Sequence, residues 1–322
     1  MTSQRYQEYT ELLKKKRYGE ASRLAELAYL EGDKNNPFWL TRQAAALSRG
    51  KRFEEALDIA RQALALSPSN PYAILAVAEA LFGLNRAEEA LEYYEEIGEE
   101  PRLLSISQRG ILDCLVKMKE WDRILELISR WRMPPDKRGR FEVKALAAEN
   151  RLAEAIQSCG KWLEIKPDDP EALWAMTDLE VQRDGMETVL SRFKRLAKIS
   201  SRPTIYKEIY ASLCRRSGKV ELALKEYDSI SRSGSDTRIQ RKQAFTLAKS
   251  GREKEAIPMA EALLKLNPKD LYLHSSYMGA CHRSQELKRA LGFYEGLIEI
   301  YPEERPIYGR MRKIKKMLGL KE

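Results

Sequence analysis

Apolar residues recur along this chain at i, i+3, i+4 and i+7, the spacing of a helix with one buried stripe. Ala256 to Pro268, AIPMAEALLKLNP, is the clearest example, and its pattern returns at Ala56 to Pro68, Ala155 to Pro167 and Ala290 to Pro302. Each copy opens on Ala, carries its apolar positions at helical spacing and closes on Pro twelve residues later. Followed through the chain, the opening position is Ala21, Ala56, Ala90, Ile124, Ala155, Val189, Ala223, Ala256 and Ala290, at intervals of 35, 34, 34, 31, 34, 34, 33 and 34. So steady a period predicts a stack of about nine helical hairpins, each leaning on its neighbours to bury its apolar face.

The opening Ala has a physical reason. Two antiparallel helices joined by a short turn approach within about 8–10 Å, and the closest point takes a small residue. Ala44, Ala78, Ala211 and Ala244, twelve residues earlier, supply one on the facing helix. Tyr18, Phe53 and Trp121, three before the opening position, are expected to fill the turn. Tyr94, Phe193, Tyr227 and Tyr294, four after it, are expected to wedge against the next hairpin. Asn36-Pro37, Asn70-Pro71 and Asp169-Pro170 read as helix starts, a capping side chain followed by Pro at the first helical position.

The Ala-x3-[Phe/Tyr] step and the Pro twelve after Ala resemble the second half of a tetratricopeptide repeat. The first half is eroded, since no unit carries the full W-x2-L-G-x2-Y pattern, and the fourth and sixth units have Ile124 and Val189 where Ala is expected. The resemblance implies an all-α, right-handed α-solenoid of about nine hairpins with a C-terminal cap, extending over nearly the whole chain.

The 31-residue interval coincides with Met133-Pro134-Pro135-Asp136. Two prolines cannot continue a helix, so a mild division is expected there, into units one to four (1–133) and five to nine (134–304). Ser231 to Asp236 is a second soft joint. Residues 305–322 form the cap, a basic amphipathic helix with Ile307, Met311, Ile314, Met317 and Leu318 along one stripe. A basic helix of this kind could instead touch an anionic membrane or RNA.

Charge changes the picture in one respect. The net +9 is uneven: residues 1–200 carry 32 Lys/Arg against 33 Asp/Glu, residues 201–322 carry 25 against 15, and residues 51–100 only 4 against 11. The basic character therefore belongs to the C-terminal third, which speaks to partners more than to fold.

Catalytic chemistry finds little support. His274 and His282 are the only histidines, no phosphate-cradling glycine loop or GxSxG elbow occurs, and Cys114, Cys159, Cys214 and Cys281 lie apart at apolar positions, as buried free thiols do. No enzyme activity, cofactor or metal is expected. No apolar run is long enough to span a membrane, and no secretory signal opens the chain, which points to the cytoplasm.

What remains is a surface. In the family the first helices of successive repeats line a concave groove that holds peptides or partner helices. The resemblance carries that role to Arg109 and Asp113, Arg140 and Lys144, Trp174 and Asp178, Arg215, and Arg241, Phe245 and Lys249, with Thr41, Arg42, Leu75, Glu79, Glu208, Ser212, Ser275 and His282 in equivalent register. Some members clamp a partner's C-terminal carboxylate with Lys and Asn; here those positions read Thr41/Ala45, Leu75/Glu79 and Arg109/Asp113, so that clamp is absent. The leading expectation is a non-enzymatic scaffold for a protein or peptide partner. RNA or single-stranded nucleic acid bound by residues 201–322 is the alternative, and self-association through the end units a third.

Overall fold

The computed structural model describes residues 2–98, 100–199, 204–233 and 236–320. It is an all-α helical-repeat solenoid, and no strand occurs among the described residues. The helices run as α1 (Thr2–Lys14), α2 (Tyr18–Leu30), α3 (Phe38–Arg49), α4 (Phe53–Leu66), α5 (Pro71–Gly83), α6 (Ala87–Glu96), α7 (Leu104–Met118), α8 (Trp121–Arg130), α9 (Pro135–Ala148) and α10 (Leu152–Ile165). They continue as α11 (Pro170–Asp184), α12 (Met186–Leu196), α13 (Thr204–Arg216), α14 (Val220–Ser233), α15 (Thr237–Lys249), α16 (Glu253–Leu266), α17 (Leu271–Arg283), α18 (Leu287–Ile300) and α19 (Arg305–Met317).

The nine opening positions each sit in the first turn or so of an even-numbered helix, and all nine are buried, with none more than 2% exposed. Ala44, Ala78, Ala211 and Ala244 on the facing helices are buried as well. The opening position is therefore buried in every hairpin, with Ile124 and Val189 taking the place of Ala in two of them. Two of the four expected aromatic wedges meet the next hairpin, while Tyr294 is buried against His274 and Tyr277 of its own hairpin. Tyr94 and Phe193 are buried, Tyr94 over Gly110 of α7 and Phe193 stacked on Tyr206 of α13 at 6.2 Å.

The turn inside each hairpin follows one rule. Five residues before the opening position, the backbone turns left-handed at Lys16, Lys51, Asn85, Lys119, Asn150, Gly218, Gly251 and Gln285; in the sixth hairpin Gly185 takes this role one residue later. The next residue starts a recurring surface pair, Arg17–Glu20, Arg52–Glu55, Arg86–Glu89, Arg151–Glu154 and Arg252–Glu255, in which Arg reaches across the first turn to Glu. In the last hairpin the order reverses, as Glu286–Arg289. These pairs are solvated, so they mark helix starts more than they stabilise them.

Asn70 and Asp169 cap α5 and α11 with Pro at the first position, as expected. Asn36 accepts from the Phe38 amide at 3.0 Å, and α3 begins after Pro37. Asp236 caps α15; the remainder of the soft joint expected at Ser231 to Asp236 includes residues 234–235, which lie outside the described residues.

The chain divides into two compact units, Met1–Ile165 and Lys166–Glu322. The division lies one hairpin beyond the two prolines. Pro135 occupies the first position of α9, where its missing N–H has no helical partner, and Ile128 of α8 shares one core with Phe141 and Ala145 of α9. The prolines thus end one helix and start the next without interrupting the core. In the second unit α19 packs on α18, with Ile307 and Ile314 fully buried and Leu318 against the same core. Met317, expected on that stripe, is 40% exposed because the helix ends there and the apolar face is already filled.

Candidate functional site

In the second unit, four helices project their inner faces toward one cavity of about 430 Å³. α11 contributes Trp174, α13 Ser212 and Arg215, α15 Arg241, Lys242 and Phe245, and α17 Tyr272; Tyr227 of α14 reaches the same cavity from behind. Arg241, Phe245 and Lys249 fall at i, i+4 and i+8, so one face of α15 carries all three. Tyr227 is almost fully buried, and burial raises its phenol above its ordinary range, with nearby Arg215 opposing.

Cations cover the rings. Arg215 lies 5.5 Å and Lys249 5.8 Å from the Phe245 ring centre, Arg241 5.9 Å from Tyr272, and Lys242 4.7 Å from Trp174. Phe245 and Tyr272 meet at 5.0 Å. Such contacts hold a cation in place while leaving its N–H groups for other partners. Two carboxylates answer part of this charge. Asp270, the cap of α17, pairs with Arg241 at 3.1 Å. Glu208, fully buried on α13, pairs with Lys242 and, at 2.7 Å, with Arg238. Among the described residues no carboxylate lies within ion-pair distance of Arg215 or Lys249. Arg238 also reaches Asp236 at 3.5 Å, so the five cations face three carboxylates.

Arg215, Arg241 and Phe245 line one cavity with Trp174, and Lys249 lies over the Phe245 ring. Arg241 and Phe245, i and i+4 on one helix, do not pair with each other; Phe245 takes Arg215 from α13, and Arg241 takes Tyr272 and Asp270. Asp178 is exposed and turns to Arg216 at the edge of the hairpin, away from the cavity. Ser275 and His282 are exposed, while Glu208 is wholly buried.

The first unit treats its candidates differently. Asp113 sits between Arg140 and, at 3.8 Å, Arg109. Burial raises the Asp113 carboxyl, and Arg140 and Arg109 pull it back down. Arg140 also lies 4.3 Å from the Phe141 ring, and Lys144 is exposed. This is a ladder of mutually satisfied charges. Thr41 and Leu75 are buried in the packing and present little to a ligand. Arg42 is more open, with its guanidinium 4.7 Å from Phe38, 5.7 Å from Tyr6 and 5.8 Å from Tyr72.

Lys242, Tyr227 and Tyr272 were not singled out from the sequence as site residues. A signal for Tyr272 exists: it lies eighteen residues before its opening Ala, as Phe38 and Tyr72 do before theirs. In both units an Arg of the preceding hairpin, Arg42 or Arg241, comes to rest over such a Tyr.

Among the described residues no cluster of His, Cys, Asp and Glu could hold a metal ion, and no helix is long and apolar enough to cross a membrane. Burial raises the thiol pKa of Cys114, to about 12, and of Cys281, to about 11, as expected of packing residues.

Residues 46–102 match the family model described as tetratricopeptide repeat. No curated protein matches the chain. Among solved structures, it is similar to a tetratricopeptide repeat protein from Parabacteroides merdae, at 14% identity and a TM-score of 0.50, over 86% of this chain and 98% of that one. It is similar to human IFIT1, solved as a dimer with m7Gppp-AAAA, at 17% identity and a TM-score of 0.50, over 88% of this chain and 69% of that one. A likeness to the APC/C hetero-tetramer Cut9-Hcn1, at 13% identity and a TM-score of 0.45, covers 85% of this chain but about half of that one, 54%. At these identities the likeness is one of fold.

Proposed function

We propose that this tetratricopeptide-repeat protein is a non-enzymatic interaction scaffold, acting in the cytoplasm, whose second compact unit holds a segment of a partner protein against its inner helices. The repeat fold supports a protein-interaction role in general. The observation that carries the finer reading is the cavity between α11, α13, α15 and α17, where Arg215 is held against Phe245 with no carboxylate of the protein to satisfy it. A guanidinium held by a ring and a phenol, with no anion of its own, is placed to pair with an anion that a ligand brings. Preformed cavities of roughly 300–1,000 Å³ with a few fixed polar groups are the usual form of a recognition site.

Nucleic acid is the second reading, favoured by the basic residues 201–322 and by the RNA named with the fold-similar IFIT1. Single-strand binders stack bases on open aromatic faces. Here Lys242 lies over Trp174, Arg215 and Lys249 over Phe245, and Arg241 over Tyr272. That arrangement supports the protein-partner reading instead.

The test is capture of partner protein by the full chain from its own cells, comparing wild type with Arg215→Glu/Phe245→Ala. Capture should fall by about tenfold or more, as for loss of central contacts, with the far-ultraviolet circular dichroism unchanged. Equal capture by a folded variant overturns the proposal.

A further inference from the structure

We infer that the occupant of this cavity is an acidic segment of a partner polypeptide, seated by a side-chain carboxylate on Arg215. The inference rests on the scaffold reading above and names its ligand.

Charge complementarity comes first. Arg215, Arg241 and Lys242 line the cavity, with Arg238 and Lys249 on the same helix as the last two. Glu208, Asp270 and Asp236 pair with Arg238, Arg241 and Lys242, which leaves the charges of Arg215 and Lys249 unanswered. A ligand that brings negative charge is drawn in and relieves their mutual repulsion. A neutral or basic segment would leave that repulsion in place.

The chemistry of Arg215 narrows the anion. One face of its guanidinium is taken by Phe245 and the Tyr227 hydroxyl lies against one of its N–H groups, so the group is fixed in orientation, and the rest of its N–H edge faces the cavity for a planar acceptor. A carboxylate matches that edge with two parallel hydrogen bonds. Ser212, one turn earlier on α13, lines the same cavity beside the Tyr227 hydroxyl. Its neighbours Arg241 and Lys242 are already engaged with Asp270 and Glu208, so Arg215 is the group with most to gain.

The shape of the surface favours a polypeptide. Arg241 also lines a second cavity of about 370 Å³, shared with Leu263, Leu266 and Leu273. Leu266 is 70% exposed. An extended chain whose carboxylate enters the first cavity can lay an apolar side chain toward the second, a mixture of acidic and apolar groups that nucleic acid lacks.

The full-length protein is titrated, at low ionic strength, into three fluorescein-labelled probes read by anisotropy: a short peptide alternating Glu and Leu, its Gln-for-Glu counterpart, and single-stranded oligo-A RNA of equal length. The acidic peptide should bind at least about tenfold more tightly than the Gln peptide, an effect of the size expected for a desolvated charge pair. Arg215→Gln should abolish most of that difference. Lys249→Gln, at an exposed position with no fold to disturb, should weaken the acidic peptide several-fold, and Lys194→Gln on α12 should leave it unchanged. Equal binding of the Glu and Gln peptides, or an Arg215→Gln or Lys249→Gln curve that overlays wild type, overturns the inference. So does RNA binding that exceeds acidic-peptide binding and depends on Arg215. If these peptide arms fail while partner capture still collapses in Arg215→Glu/Phe245→Ala, the scaffold reading stands and only the acidic ligand is wrong.

Discussion

His274 lies with one ring nitrogen, Nδ1, 2.9 Å from the hydroxyl of Tyr294 and the other, Nε2, 2.8 Å from the carbonyl oxygen of Pro268. A carbonyl only accepts, so Nε2 carries the proton and Nδ1 accepts from the Tyr294 O–H. The rings also stack, 5.5 Å apart, and His274 is 1% exposed. Burial lowers its pKa below the ordinary 6.5; Arg310 adds to the lowering, while the Pro268 hydrogen bond and Asp270 oppose it. Below that ordinary value the unfolded chain binds a proton that the folded chain refuses. The stability held at neutral pH is therefore lost as pH falls through 6.5 toward the folded pKa. The melting temperature should drop between about pH 7.5 and about pH 5.5, and His274→Gln should flatten part of that drop. A variant whose melting temperature tracks wild type at both pH values would show that His274 does not set this dependence.

A missing side chain does the wedging elsewhere. A Cβ built on Gly110 would come within 2.4 Å of the Tyr94 ring. Tyr94 has no room to retreat, being 5% exposed, and its carbonyl is bonded to the Ser107 hydroxyl at 2.7 Å. Gly110→Ala should destabilise by about 1–3 kcal/mol, the range for overpacking a core. Gly296, on α18 with nothing within 4 Å of its added Cβ, should behave oppositely. Ala there should stabilise by about 0.5–1 kcal/mol through helix propensity. Urea unfolding of the two variants in parallel reads both signs, and destabilisation by both would refute the packing argument.

The hairpin turns invite a similar comparison. Gly251 stands at φ +80° and Lys51 at φ +62° in the equivalent turn position. A side chain in left-handed backbone costs roughly 1–2 kcal/mol. Gly251→Ala should therefore lose about that much, while Lys51→Gly should be neutral or slightly stabilising, because the relief is offset by unfolded-state entropy. Differential scanning calorimetry decides it, and a Lys51→Gly protein that melts well below wild type would refute the strain.

How much of this is legible in the sequence follows from range. Ala56 and Ala44 could be read as a touching pair because a hairpin fixes its own two helices, and the constraint recurs every 34 residues or so. Trp174, Arg215, Arg241 and Phe245 could be placed on inner faces for the same reason. Which ring each cation covers could not be read. Arg215 and Phe245 are thirty residues apart, and their meeting depends on how far α13 and α15 rotate against each other, which the period does not specify. Glu208 shows the same limit: its register suggested a groove residue, but Lys242 and Arg238 of the next hairpin close over it. The Met133-Pro134-Pro135 segment misled in another way, since Pro signals a helix boundary and says nothing of whether the core stops there.

Glu79 in the first unit gives a pH dependence of the opposite kind to His274. Desolvation raises its carboxyl above the ordinary 4.5, and Arg49 only partly offsets this. A raised folded pKa means that the folded chain holds its proton longer than the unfolded one. Its ionised form at neutral pH is thus a burden on the fold, relieved as pH falls toward 4.5. Glu79→Gln should raise the melting temperature at about pH 7, and the gain should shrink to nothing below about pH 4.5. A gain that persists unchanged in acid would point to packing in place of charge.

Glu208 should show a split between stability and binding. Its side chain is fully buried, while Lys242 is 30% and Arg238 51% exposed. Removing one partner of a wholly buried ion pair costs about 3–5 kcal/mol because a charge is stranded. Here the stranded cations can turn toward water, so Glu208→Gln should cost less, about 1–3 kcal/mol, mostly for the lost charged hydrogen bonds. The same substitution deletes one of the carboxylates that compete with an incoming anion for these cations. Glu208→Gln should therefore unfold at lower urea and yet bind the Glu/Leu peptide more tightly than wild type, by several-fold. Lys242→Met added to it should recover part of the lost stability, since the two positions are in contact and couple, and should reverse the gain in affinity. Urea titration and peptide anisotropy on the same preparations measure the two effects together. Affinity that falls in step with stability across these variants would mean that Glu208 holds the cavity in shape and does not compete for its charge.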